Sequence, residues 1–254
     1  MSQPADRIVD SEAADPRWRG LYIAGGVAAI IAAVVFRRHF GVEVTLLMEM
    51  GLLGLEPPIS VVDWFVLLQE NVLVGLILLD LFDIVEYALV GLMFLALYGA
   101  LRRSNKSALT VALACDLVGI AVYLASNQAL PMLALSDRYA TVGTEAQQAT
   151  FLAAGEALLA IHDPGGIHLS LLLVALAGLI VSLVMLQSRV FGKATAVAGI
   201  AANGLVLSYF VAVAFAPEIA FLLPAISAPF RLIWYILIAW RLFQLGRGVP
   251  AVQQ

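Results

Sequence analysis

The chain has 254 residues, of which 62% are hydrophobic and only 13% charged, with a formal net charge of −4 and a mean hydropathy of +0.97. Soluble domains carry about 25% charged residues, so this balance selects a lipid environment. An acidic excess also excludes the concentrated basic face that nucleic-acid binding requires. Cys115 is the one cysteine, which excludes an intramolecular disulfide, and within VALACDLVGI it reads as a small packing residue.

Residues 1–19, MSQPADRIVDSEAADPRWR, are polar and acidic and read as a disordered tail. The apolar segment that follows, residues 20–36, ends in Arg37-Arg38 and lacks a small-residue cleavage site, so a retained helix is expected. A helix needs about 20 apolar residues to cross the hydrocarbon layer. By that criterion spans are expected at residues 20–36, 72–101, 108–126, 167–187, 194–216 and 220–241. Pro224 and Pro229 should kink the outer part of the last one. The domain layout is then a tail at 1–19, a six-helix transmembrane domain at 20–247 and a short tail at 248–254.

Residues 43–70 are apolar yet too acidic to span, with Glu49, Glu56, Asp63 and Glu70 at seven-residue spacing and Pro57-Pro58 between them. Two short helices lying in the outer interface fit that pattern. In the third–fourth connection, Thr144 and Gln147 match a capping box. Phe151, Leu152, Gly155, Leu158, Leu159 and His162 then form one stripe of an amphipathic helix over residues 144–162. The expected class is therefore all-α: a polytopic membrane helix bundle with six transmembrane helices and interfacial amphipathic helices on the outer side.

Orientation follows from Lys and Arg. Arg7, Arg17, Arg19, Arg102, Arg103, Lys106, Arg189, Lys193, Arg241 and Arg247 are ten of the 14 basic residues, and all fall on one side of the expected spans. Both termini are thus expected in the cytoplasm of a bacterial inner membrane. Arg37-Arg38 is the discordant pair.

Polar residues inside the spans are the functional lead, because a charge at a helix centre costs on the order of 3 kcal/mol even on lenient scales. Asp80, Asp83 and Glu86 recur every third residue, with Tyr87 on the same side, along a stripe about 120° wide. On a continuous helix Glu86 stands ~24 Å and Asp80 ~33 Å from the end at Arg102, near the outer boundary. Asp116, Asn203 and Arg231 each lie ten residues from a basic residue at a span end, so ~15 Å deep. They should face the bundle interior, and an Asp116–Arg231 or Glu86–Arg231 pair would offset their burial cost.

The segments ALYGALRRSNKS, YLASNQALPMLALSDRYA with TEAQQATFLAAGEALLAI, GLIVSLVMLQSRVFGKATAVAGI and APFRLIWYILIAWRLFQLGR together resemble a family of bacterial six-helix integral membrane proteins described only as a domain of unknown function. The resemblance covers roughly residues 60–247. It implies the six-helix layout and the outer amphipathic helix, and it carries no site residues.

Two functions follow from the residues. The first is binding of a small molecule, lipid or ion in an outward-facing polar cavity lined by Asp80, Asp83, Glu86, Tyr87, Asp116, Asn203 and Arg231, in an accessory or transport-like role. The second is a membrane-embedded enzyme acting on lipid head groups, with Glu156, His162, Asp163 and His168 as a metal site at the outer face. His-x5-His matches no standard metal spacing, and no nucleophile elbow, HExxH or phosphate-cradling loop occurs. No cofactor is implied, and the expected partners are membrane lipids and a small-molecule or ion ligand.

Overall fold

The structure, a computed structural model, describes residues 15–41, 58–161, 167–220 and 222–248. Among them every regular element is helical. After a 3-10 turn at Pro16–Trp18 come α1 (Arg19–Gly41), α2 (Val61–Glu70), α3 (Val72–Leu78), α4 (Leu81–Leu101), α5 (Lys106–Ser126) and α6 (Ala129–Thr141). They are followed by α7 (Glu145–Ile161), α8 (Ile167–Gln187), α9 (Lys193–Phe215), the single turn α10 (Pro217–Ala220) and α11 (Leu222–Gly246). Six stretches are long and apolar enough to cross a membrane: Pro16–Phe36, Asp83–Leu101, Lys106–Thr141, Ile167–Gln187, Lys193–Phe215 and Pro217–Gly246. With this the protein is an all-α polytopic helix bundle.

The chain divides into two compact units. The first holds α1 as far as Arg37, α4 from Glu86, α5 as far as Ile120, and α8 from Leu171 to the C-terminus. In a bilayer, helices associate through close van der Waals contact, which favours small residues where backbones meet. Gly25 in α1 faces Ala96 of α4 so closely that a Cβ would overlap its methyl, and the same Cβ would meet Leu242 of α11 at 3.4 Å. The helix ends follow local chemistry. Asn105 accepts the Ala108 amide at 3.0 Å and so caps α5. Ala216 leaves the helical region (φ −149°, ψ 62°), which is disfavoured for the residue before a proline, and this ends α9. α11 runs through Pro229 without interruption, although two prolines in this stretch predict an irregular outer turn.

The second unit contains the remaining described residues, 38–41, 58–85, 121–161 and 167–170. Its core is Val61, Phe65, Leu68, Leu76, Leu79, Ala129 and Met132, with Phe151, Leu152, Leu158 and Leu159 packed against it. The stripe read from the sequence of α7 therefore faces inward. Gly155 is its closest point, where a Cβ would stand 2.5 Å from Val61 and 3.0 Å from Phe65. The Thr144 hydroxyl bonds the Gln147 side chain at 2.9 Å and accepts the Gln147 amide at 3.4 Å, as the capping pattern predicts.

Three sequence expectations change. Residues 72–101 are not one helix: the chain breaks at Leu79–Asp80, where Asp80 takes φ +56°. No glycine or proline marks this turn, and an aspartate is among the few residues that tolerate the left-handed region. Residues 129–141, expected as connection, form α6, whose Pro131 sits harmlessly in the first turn. Asp63, read as one of four regularly spaced acids, is half of a capping box. It accepts from the Ser60 hydroxyl and amide, both at 2.8 Å, and returns its own amide to Ser60 Oγ. The Ser60 hydroxyl, then the Ser60 and Ile59 amides, hold its carboxyl below the usual carboxylate range. Glu49 and Glu56 lie outside the described residues.

Candidate functional site

Asp116 sits near the middle of α5, completely buried, and neither carboxylate oxygen has a hydrogen-bond partner among the described residues. Its neighbour across the helix pair is Gly91 of α4, whose missing side chain leaves room. A Cβ there would stand 2.8 Å from Ile120 and 4.0 Å from Asp116 Oδ2. A buried carboxyl without donors costs more than a satisfied one by about 1–3 kcal/mol or more. Native folds keep such a group where something other than stability selects it.

Tyr235 of α11 lies within electrostatic range of polar residues from its own and other helices. Asp116, Arg231, Glu86 and Tyr87, drawn from three helices, all act on it electrostatically. Tyr235 is buried between Trp234, with ring centroids 5.8 Å apart, and Phe36 of α1, 6.3 Å away and edge-on. Arg231 lies one turn earlier on α11, with its guanidinium 5.5 Å from the centroid of Phe36. That is cation–π geometry. Arg231 and Asp116 form no ion pair, so the Asp116–Arg231 clamp expected from their matching depths is absent. Equal depth along two helices says nothing about the angle at which each side chain leaves its axis.

The other predicted residues are placed elsewhere. Asn203 is buried, but its Nδ2 donates to the Gly199 carbonyl of its own helix at 2.8 Å. It rests on Gly178 of α8, where a Cβ would lie 2.6 Å from Asn203 Cγ, so Asn203 joins α8 to α9. Asp80 and Asp83 belong to the second unit. Asp80 occupies the α3–α4 turn, whose exposed carbonyls are taken by distant donors: Tyr123 Oη to Asp80 O at 2.9 Å, and Asn127 Nδ2 to Leu79 O and Asp80 O at 3.3 and 3.1 Å. Asp83 falls in the first turn of α4, where a helix favours negative charge. Glu156 is exposed on α7 and His168 partly buried at the start of α8, while His162 and Asp163 lie outside the described residues. Among the described residues no group of three or more His, Cys, Asp or Glu could hold a metal ion.

Two polar anchors were not legible in the sequence. Arg241, counted there only as a charge flanking the last span, is buried, and its Nε donates to the Val190 carbonyl at 2.5 Å and Nη1 to Gln244 at 2.7 Å. Asp15 accepts from Arg102 at 2.8 Å, and Arg102 also stacks over Trp18 at 4.7 Å. The Arg17 amide foremost, with the Arg103 and Arg102 charges, holds the Asp15 carboxyl below its ordinary value. An Asp-x-x-Trp pattern before a span carries no signal by itself, because its partners are more than 80 residues away.

Six apolar helical stretches define a multi-pass α-helical membrane protein. Residues 19–244 match the family described as a domain of unknown function, DUF4386, and the chain belongs to that family. Neither the curated proteins nor the solved structures give a match.

Proposed function

We propose that the protein binds a small cationic or hydrogen-bond-donating ligand at the Asp116–Tyr235 cluster. It would do so as a binding or transport-like component of a bacterial inner membrane, with both termini cytoplasmic and the site reached from the outer face. The observation that carries this reading is the Asp116 carboxylate, wholly buried with both oxygens lacking a donor among the described residues. A ligand that brings a positive charge or an N–H or O–H group supplies what the fold withholds. The aromatic faces of Trp234, Tyr235 and Phe36 around the cluster suit an organic cation as well as a metal ion. The Lys and Arg asymmetry supports the orientation.

Thermal unfolding of the purified protein in detergent, with sodium, potassium, choline and ethanolamine as probes, tests this. A saturable rise in the midpoint with one of them is expected, following mass action. Asp116→Asn should lose that rise. Unliganded Asp116→Asn should unfold at or above the wild-type temperature, because no hydrogen bond in the fold depends on the carboxylate. No shift with any probe, together with a destabilised Asp116→Asn, would assign Asp116 to structure alone.

A further inference from the structure

The second unit carries a surface feature unrelated to the Asp116 cluster. α6 and α7 pack as a helical hairpin, and between them runs an open groove of about 480 Å³. That volume falls within the roughly 300–1,000 Å³ of small-molecule sites. Pro131, Ala134 and Leu135 line it from α6 and Ala157 and Leu158 from α7, and the one charged group in the lining is Arg138. Alanines on facing helices leave a trough, and the branched side chains and the proline ring make its walls apolar.

Arg138 is exposed and forms no ion pair among the described residues. Besides Arg38 of α1 it is the one Lys or Arg among the described residues of this unit, which hold the acids Asp63, Glu70, Asp80, Asp83, Asp137, Glu145 and Glu156. Asp137 and Glu156 stand next in sequence to groove residues, but successive residues point ~100° apart around a helix, and neither carboxylate lines the groove. Arg138 lies seven residues beyond Pro131, so the apolar trough extends ~10 Å from the guanidinium. Along α6 the apolar run Leu130–Leu135 gives way to Ser136, Asp137 and Arg138. A basic residue where an apolar stretch gives out is placed to meet head groups.

We infer that this groove holds one acyl chain of an anionic phospholipid from the surrounding bilayer, with the lipid phosphate on Arg138. The apolar trough is open and not enclosed, as a chain entering from lipid requires, and Leu130, next in sequence to Pro131, is 58% exposed. The single cation at its end complements an anionic head group better than a zwitterionic one, whose own ammonium offsets the charge of its phosphate.

Native mass spectrometry of the protein, released from micelles doped with equal amounts of phosphatidylglycerol and phosphatidylcholine bearing identical chains, tests the inference. Wild type should retain phosphatidylglycerol preferentially. Arg138→Gln should cut that preference by about fivefold, the effect of one basic residue at a membrane surface. Ala157→Phe, at an exposed position and so compatible with folding, should fill the trough and reduce retention of both lipids. Arg247→Gln, far along the chain, should leave the preference intact. An unchanged preference in Arg138→Gln, undiminished retention in Ala157→Phe, or an equal fall in Arg247→Gln would each overturn the groove as the site. None of these outcomes bears on cation binding at Asp116.

Discussion

Single residues in this protein differ sharply in what their burial achieves. Asn203 and Asp116 sit at the same expected depth, yet one closes its hydrogen bond on its own helix and the other closes none. The Asn203 side chain is instead committed to a steric fit. A Cβ on Gly178 would lie 2.6 Å from both Cγ and Nδ2 of Asn203, too close to be relieved without moving a side chain that is itself bonded to the Gly199 carbonyl. Gly178→Ala should therefore destabilise the protein by about 1–3 kcal/mol, the usual cost of overpacking. Asn203→Ala added to it should recover part of the loss, because the methyl then meets empty space. Thermal unfolding of the two single variants and the double checks this, and a strictly additive loss would dismiss the contact.

At the level of elements, the α3–α4 turn explains why acids stand where a continuous span is expected. Asp80 is there for its backbone, since φ +56° is disfavoured for most side chains by roughly 1–2 kcal/mol and is best met by glycine or a short polar residue. Asp80→Gly should leave stability near wild type, while Asp80→Val should cost about 1–2 kcal/mol. A Val variant as stable as the Gly variant would contradict the left-handed turn. The turn also depends on Tyr123 and Asn127, near the end of α5, which receive no hint from the sequence around Asp80 because they arrive from more than 40 residues away. Glu86, six residues beyond Asp80 on the same stripe, acts on Tyr235 in the first unit. One sequence pattern thus divides between a structural turn and the candidate site, and periodicity alone carries no way to separate them.

For the whole molecule, the basic residues predict the sidedness of the chain. In a Cys115→Ala background, Ser107→Cys beside the α4–α5 loop and Thr141→Cys at the end of α6 are both exposed positions. In intact cells an impermeant maleimide should label Thr141→Cys and reach Ser107→Cys only after the membrane is opened. Labelling of Ser107→Cys without permeabilisation would reverse the orientation and place the Asp116 site toward the cytoplasm.

Length and hydropathy alone determined the helical membrane class and the approximate position of each span, because a bilayer imposes one thickness on every crossing and penalises each exposed backbone group. The capping residues Thr144 and Gln147 and the inward stripe of α7 were equally legible, since both depend on residues within a turn or two of each other. Only the tertiary structure decided that Asp116 stays without a donor while Arg231 turns to Phe36, that Arg241 reaches Val190, and that residues 72–101 break at Asp80. Each of these depends on the rotation of one helix about its axis relative to another. Rotation is set by side-chain packing between segments distant in sequence, and a hydropathy profile averages it away.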